Sequence, residues 1–202
     1  MTDKFLKSLS FIFHPLFMPL LGVIFYFSKT PRFVAPDVVK AKLISLFILT
    51  ILLPILLYFF LKVLGKVKSF YLTTTKERVY PLLLNCIINL IIIQRILPPT
   101  ESIELYFFFL GILISSMTCL MLAIMKFKAS IHLIGISGLT MFFIALSVHF
   151  SINIVGTLSV MTLVLGAVAT SRLHVKAHVA VELVVGFFIG VLPQLILIPY
   201  WL

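Results

Sequence analysis

The sequence predicts an all-α, polytopic integral membrane protein built as a bundle of six to seven transmembrane helices. Of its 202 residues, 62% are hydrophobic and 11% are charged, and the mean hydropathy is +1.25. A soluble domain is ordinarily about half apolar and about one quarter charged, so this chain has too few charged groups to cover a water-exposed surface. The composition excludes a soluble enzyme, a soluble nucleic-acid-binding protein and a disordered chain.

Seven apolar segments have lengths near the roughly 20 residues that a helix needs to cross a bilayer. They cover residues 9–27, 43–64, 81–97, 103–125, 131–150, 152–170 and 180–198. The third stops at Pro98-Pro99, where a helix cannot continue. No repeat or linker divides the chain, so we expect one transmembrane domain over residues 1–202. Gly186 and Gly190, four residues apart, predict close packing of the last helix against a neighbour.

The loops are strongly basic, since 16 Lys and Arg residues face 6 Asp and Glu residues, giving a net charge of +10. Beside membrane spans such residues set topology, contact anionic membrane lipids or bind an anionic substrate. Seven crossings place all but five of these cations on the N-terminal face. This bias predicts that the N-terminal face is cytoplasmic, in a bacterial inner membrane. If the cations of the polar clusters described next bind phosphate, they no longer count as topology signals. The difference in cation number between the two faces then nearly vanishes.

Three polar clusters fall on that same N-terminal face. The first is residues 73–81, Thr-Thr-Thr-Lys-Glu-Arg-Val-Tyr-Pro, just before the third segment. The second is residues 126–132, Lys-Phe-Lys-Ala-Ser-Ile-His, opening the fifth. The third is residues 171–178, Ser-Arg-Leu-His-Val-Lys-Ala-His, followed by Glu182. Two spans separate each cluster from the next, so we expect the three to meet.

The cations in these clusters are suited to a phosphate group. Lys76, Arg78, Lys128 and Arg172 carry fixed positive charge, and arginine can bind a phosphate through two nitrogens. Ser130 stands where the fifth helix begins, so its backbone N–H and hydroxyl can cap that helix or bind an anion.

Two histidines supply candidate catalytic groups. His178 and Glu182 are four residues apart, which predicts that they share one face of a helix. A carboxylate in that position orients an imidazole and stabilises its charged form, which prepares a histidine as nucleophile or base. His132 is a second imidazole, available as a general acid. Ionisable residues at the edge of a membrane span are costly to retain, which favours a function for them.

The spacing of the third cluster resembles a known signature. Ser171-Arg172, five residues, His178, three residues and Glu182 are similar to the third motif of the type 2 phosphatidic acid phosphatase superfamily, Ser-Arg-x5-His-x3-Asp. Ser130-Ile131-His132 resembles the second motif, Pro-Ser-Gly-His, and residues 76–81 resemble the first, Lys-x6-Arg-Pro. Glu182 replaces the family's Asp, Ala129 its Pro and Ile131 its Gly, and Arg78 is not adjacent to Pro81.

The resemblance covers residues 73–182 and implies a superfamily-like core from about residue 73 to 202. It implies a metal-independent membrane phosphatase with no cofactor, acting on a lipid phosphate or a polyprenyl diphosphate. His178 would then attack phosphorus and form a phosphohistidine, assisted by Glu182. His132 would protonate the leaving group. The phosphoryl oxygens would be held by Arg172, Ser130, Arg78 and Lys76.

Other interpretations of the same residues stay open. Lys76, Arg78 and Arg172 are also typical of topology anchors at span ends. His174, His178 and Glu182 form a possible zinc ligand set, although nearby cations oppose metal binding. A non-catalytic lipid-binding or transport-type membrane protein would keep the same basic pocket. His14 and His149 are assigned structural roles. The oligomeric state is not indicated.

Overall fold

The computed structural model describes residues 8–68, 72 and 74–202. Thr73 of the first cluster, and Lys4 and Lys7 of the charge count, lie outside these residues. Among the described residues, seven helices are long and apolar enough to cross a membrane: α1 (Ser8–Lys29), α2 (Pro36–Val63), α3 (Thr75–Ile96), α4 (Ile103–Ile124), α5 (Ile131–His149), α6 (Val155–His174) and α7 (Ala180–Tyr200). The predicted all-α polytopic bundle is confirmed, with seven spans.

Four of these helices change winding along their length, and in α7 the change is the final 3₁₀ turn, Ile198–Tyr200. In α1, Pro15–Phe17 forms a 3₁₀ turn, and the Nδ1 atom of His14 accepts the backbone N–H of Leu16 there. In α2 and α3, Ile48–Leu52 and Ile92–Ile96 are π-helical. Such segments often occur at functional sites or under local strain. The irregular segments of α1 and α2 lie in helices that contribute apolar residues to the cavity described below.

Three helix ends differ by four or more residues from those predicted by hydropathy, and the first is the start of α2 at Pro36 rather than at residue 43. Helix α3 begins at Thr75 rather than at Pro81, because the hydroxyl of Thr74 accepts the backbone N–H of Glu77 at 3.3 Å and caps the helix. Arg78 therefore lies on the first turns of α3 and not in a loop before it. Helix α6 continues to His174 rather than to residue 170, which puts Arg172 on its last turn.

The expected close packing at Gly186 and Gly190 is confirmed, and the neighbour is α5. A Cβ atom on Gly186 would lie 2.8 Å from the carbonyl oxygen of Ser130. A Cβ atom on Gly190 would meet the Ser137 hydroxyl and the Ile134 carbonyl. Both contacts require glycine, and they hold the start of α7 against the start of α5. This packing brings the second and third polar clusters together.

The opposite end of the bundle is closed by an ion-pair network around Glu104, which is fully buried. Its carboxylate pairs with Arg32 at 2.8 Å and with His149 at 3.2 Å, and it accepts the hydroxyl of Tyr26 at 3.1 Å. The His149 ring also packs against Trp201. These contacts join α1, α4 and α5 at that end. The three polar clusters lie at the other end, the N-terminal face, so a functional site is expected there.

Candidate functional site

A cavity of about 930 Å³ lies among the helices at the N-terminal face. Five predicted site residues line it: Arg78, Lys128, His132, Arg172 and His178. Its volume is at the upper end of the range for small-molecule sites. The three clusters therefore meet, as their placement on one face predicts. The rest of the lining is mostly apolar and comes from α1, α2, α3, α4 and α5.

The closest contact between predicted catalytic groups joins His178 to Glu182. The His178 Nδ1 and Glu182 Oε2 atoms are 2.7 Å apart, and their side chains are 1% and 19% exposed. The two residues do not share a helix face, because α7 begins only at Ala180 and Val179 is extended. Instead Glu182, in the first turn of α7, reaches back, and its Oε2 also accepts the Val179 N–H at 3.3 Å.

This contact fixes the tautomer of a neutral His178. A carboxylate oxygen only accepts, so Nδ1 carries the proton and donates it. The lone pair is then on Nε2. Burial lowers the pKa of His178 below its ordinary value, and the Arg78 and Arg172 cations add to the effect, while the hydrogen bond and the charge of Glu182 oppose it. The imidazole is therefore neutral near pH 7, the form that a nucleophile requires.

Two of the cations are held by backbone carbonyls near this pair. Arg78 is 4% exposed, and it donates from Nε to the Leu72 carbonyl at 3.1 Å and from Nη1 to the Ala129 carbonyl at 2.8 Å. Lys128 donates from Nζ to the Ala177 carbonyl at 3.0 Å. Burial, and then the charge of Arg78, lower the pKa of Lys128. These bonds hold the Arg78 and Lys128 cations at the cavity wall that also includes His178.

Only one of the two anion-binding groups predicted at Ser130, its backbone N–H, is used by another bond in the structure. Its backbone N–H donates to the backbone carbonyl of Glu182 at 3.1 Å, so that donor is already used. Its side chain makes no capping bond to α5. The hydroxyl is fully buried and has no hydrogen-bond partner within the described part of the chain. Ser130 joins α5 to the α7 start rather than lining the cavity.

His132 faces the cavity beside residues of α1. Its Nε2 lies 3.1 Å from the Ser10 carbonyl, which can only accept, so Nε2 carries a proton. The His14 ring stands edge-on to the His132 ring, with their centroids 5.4 Å apart. The Ser10 hydroxyl in turn is 2.8 Å from that of Ser171 on α6. These contacts tie α1 to the second and third clusters.

Two other residues singled out from the sequence lie outside the cavity lining. Lys76 is exposed on the first turn of α3. His174 is exposed at the end of α6. Across residues 8–68, 72 and 74–202, no three His, Cys, Asp or Glu side chains are placed to hold a metal ion together.

Several cavity residues were missed by the sequence analysis. Ser10 and His14 come from α1, and His14 was assigned a structural role although its end of α1 lies on the cluster face. Asn85, Asn89 and Gln194 also line the cavity. Their signal was a carboxamide inside an apolar span, which is rarely placed without a partner or a use.

No family model, curated protein or solved structure matches this chain. The likeness to the phosphatase superfamily is therefore carried by the motif residues alone.

Proposed function

We propose that this protein is a membrane-embedded phosphatase that hydrolyses a lipid phosphate or a polyprenyl diphosphate through a phosphohistidine intermediate. One observation carries the proposal: the buried His178 imidazole, paired with Glu182, lines a cavity that Arg78, Lys128 and Arg172 also line. An oriented neutral imidazole beside fixed cations is the arrangement that phosphoryl transfer to histidine requires.

In the first chemical step, the Nε2 lone pair of His178 attacks phosphorus. The N–P bond forms as the bond from phosphorus to the leaving oxygen breaks, and the imidazole ring gains positive charge. Glu182 stabilises that charge through the 2.7 Å contact to Nδ1. The Arg78, Lys128 and Arg172 cations stabilise the negative charge on the phosphoryl oxygens, which is ordinarily the largest catalytic contribution.

Protonation of the leaving oxygen falls to His132. The ring holds one proton on Nε2, donated to the Ser10 carbonyl. When the substrate binds as a phosphate monoanion, its proton moves to the unprotonated nitrogen of His132, Nδ1, and passes from there to the leaving alcohol or phosphate as the bond to phosphorus breaks. Water then attacks phosphorus and gives a proton to Nδ1 of His132, which passes it to the departing phosphate. The N–P bond breaks, inorganic phosphate leaves and both histidines return to their neutral forms.

The apolar part of the cavity supports a substrate with a hydrocarbon chain. Beside the charged wall, the lining includes Pro15, Met18, Pro54, Leu57 and Leu61 from α1 and α2. A hydrocarbon chain buried there gains about 0.8 kcal/mol for each methylene removed from water. A chain that already lies in the bilayer gains less free energy than a chain in water. A free phosphate ester has no such chain to place against these residues, so the apolar wall selects an amphiphile.

A second function is favoured by the carbonyl contacts of the cations. Arg78 donates two of its hydrogen bonds, and Lys128 one, to backbone carbonyls. The backbone N–H of Ser130 donates to the backbone carbonyl of Glu182. A basic pocket held in this way also suits a non-catalytic lipid-binding or transport-type protein, which would bind the phosphate and not cleave it.

The test is release of inorganic phosphate by the detergent-solubilised protein with a chelator present. Phosphatidate and a polyprenyl diphosphate, each in mixed micelles, serve as substrates. We expect turnover by the wild-type protein and none above background by His178→Ala. His174→Ala, which removes an exposed imidazole outside the cavity, is the matched control and should keep activity. A folded wild-type protein that binds these lipids without releasing phosphate would establish the non-catalytic alternative.

A further inference from the structure

The cavity carries a second polar region, far from the charged wall. Three carboxamide side chains line it, Asn85 and Asn89 on α3 and Gln194 on α7. Asn85 is seven residues and Asn89 eleven residues beyond Arg78. At 1.5 Å per residue these positions are about 10 and 16 Å deeper along the helix axis. We call Asn85, Asn89 and Gln194 the amide belt.

Each carboxamide nitrogen of the amide belt donates one of its two N–H groups within the protein. The Asn85 amide nitrogen donates to the Ser116 hydroxyl at 2.9 Å. The Asn89 amide nitrogen donates to the backbone carbonyl of Asn85 at 2.7 Å. The Gln194 amide nitrogen donates to the Phe108 carbonyl at 2.9 Å. These bonds orient all three carboxamides. Hydrogen bonds of this kind are common in membrane helix bundles and by themselves indicate no ligand.

The amide oxygens have no such explanation. Within the described residues, no group donates to Asn85 Oδ1, Asn89 Oδ1 or Gln194 Oε1. An acceptor that faces a largely apolar cavity without a donor is unfavourable until a ligand or water supplies one. Ser116, which also lines the cavity, accepts from Asn85 and retains its own hydroxyl proton. The belt therefore presents both acceptors, the three amide oxygens, and donors, the second N–H of each carboxamide, to the cavity.

The shape of α4 supports a specific placement of Gln194. A Cβ atom on Gly111 would lie 2.7 Å from the Gln194 side-chain carboxamide carbon. The carboxamide can occupy the bundle interior only because residue 111 has no side chain. An apolar residue at position 194 would fill this space without needing a hydrogen-bond partner, so helix packing alone does not call for glutamine there.

We propose that the amide belt is a binding subsite for a hydroxyl or an amide group, which donates to the belt oxygens and can accept from its second N–H groups, carried on the hydrocarbon part of the ligand about 10 to 16 Å from its anionic group. The inference rests on the proposed function only for placing the phosphate at the charged wall. The ligand class is an amphiphile with an anionic phosphate at one end and a donor within its chain. An unsubstituted alkyl chain would leave the belt oxygens unpaired.

The test compares binding of alkyl phosphonates, whose carbon–phosphorus bond prevents turnover. The probes are hexadecylphosphonate, the same molecule with one mid-chain hydroxyl, and the isomer with its hydroxyl beside the phosphonate. Dissociation constants are measured by calorimetry in mixed micelles. We expect the mid-chain hydroxyl to tighten binding about three- to tenfold, as one net hydrogen bond does. The hydroxyl beside the phosphonate should not change the affinity.

Two variants locate the effect. Asn89→Leu and Gln194→Met keep the side-chain volume and remove the acceptor, so each should abolish or sharply reduce the preference while binding of the plain probe persists. Thr118→Val is the control, because Thr118 lies on α4 outside the cavity lining and donates to its own helix at the Ile114 carbonyl. Thermal midpoints verify that each variant is folded.

Equal affinity of the wild-type protein for the plain and mid-chain probes would overturn the subsite. A preference that survives in both folded variants would also overturn it, as would failure of all three probes to bind. These outcomes are independent of catalysis, since a protein that releases no phosphate can still show the preference, and an active phosphatase can lack it.

Discussion

Replacing Glu182 by Gln tests whether its negative charge assists His178. In the structure, one oxygen, Oε2, accepts from both His178 Nδ1 and the Val179 N–H. The amide oxygen of Gln can take the same position and keep both hydrogen bonds. The substitution therefore removes charge and preserves geometry, so that any loss of rate reports electrostatic stabilisation of the imidazolium.

The size of the loss follows from the contact. A charge-assisted hydrogen bond is worth about 1 to 2 kcal/mol more than a neutral one, a lower bound of about tenfold. Coulombic attraction between unit charges about 4 Å apart, at an effective permittivity of about 20, is about 4 kcal/mol, an upper bound of about 10³-fold. We expect Glu182→Gln to lose about 10²-fold in kcat, in line with the effect of removing such assistance elsewhere.

The assay is initial-rate phosphate release from the preferred lipid phosphate, with the thermal midpoint measured in parallel. Glu182→Asp keeps the charge on a shorter side chain and should retain measurable activity. Glu101→Gln is the matched control, because it removes one charge from the 2.6 Å pair with Lys42 at the opposite end of the bundle. Full activity of folded Glu182→Gln would refute the electrostatic role and leave His178 and Glu182 a structural pair.

Three further predictions concern pH, packing and orientation. Because the pKa of His178 is lowered, its neutral form persists as the pH falls, and kcat/KM should begin to drop only below about pH 6.5, the ordinary pKa of histidine; a drop that begins above that pH would contradict this. Gly186→Ala should lower the free energy of unfolding by about 1–3 kcal/mol by pushing α7 from α5, whereas Gly166→Ala, which meets nothing within 4 Å, should not; equal thermal midpoints would contradict the packing. Single cysteines at residues Thr74 and Pro99, probed on intact cells with an impermeant thiol reagent, should label at Pro99 only; the reverse pattern would place the cluster face outside.

The fold was readable from the sequence because a bilayer demands long apolar runs, and seven such runs are present. The ends were less accessible, since hydropathy does not register a helix that begins with polar residues. Thr74 and Glu77 show this: they match the Ser/Thr-x-x-Glu pattern of a helix start, and α3 begins beside them. Capping chemistry, rather than hydropathy, locates Arg78 on that helix.

The meeting of the clusters was also readable, because counting spans assigns each loop to a face. The local geometry was not. Four-residue spacing predicted that His178 and Glu182 share a helix face, yet the chain turns at Val179 and the carboxylate reaches back across a helix start. The use of the Ser130 N–H by the Glu182 carbonyl depends on how close Gly186 lets two helices come, which one sequence does not specify.

The cavity itself was beyond sequence reasoning. Asn85, Asn89 and Gln194 each lie within an apolar run and are too far apart along the chain for any spacing rule to group them. Their common wall depends on how α3, α4 and α7 pack, and on the missing side chain at Gly111.

The central claim, that His178 is a nucleophile, is tested most directly by trapping the intermediate. The protein is mixed with a lipid phosphate carrying radioactive phosphorus, quenched in alkali within one turnover, digested and analysed by mass spectrometry. A phosphohistidine is stable to alkali and labile to acid, so the account predicts label with that stability on His178, absent from His178→Ala. An active protein that carries no label, or carries it on His132, would contradict the account.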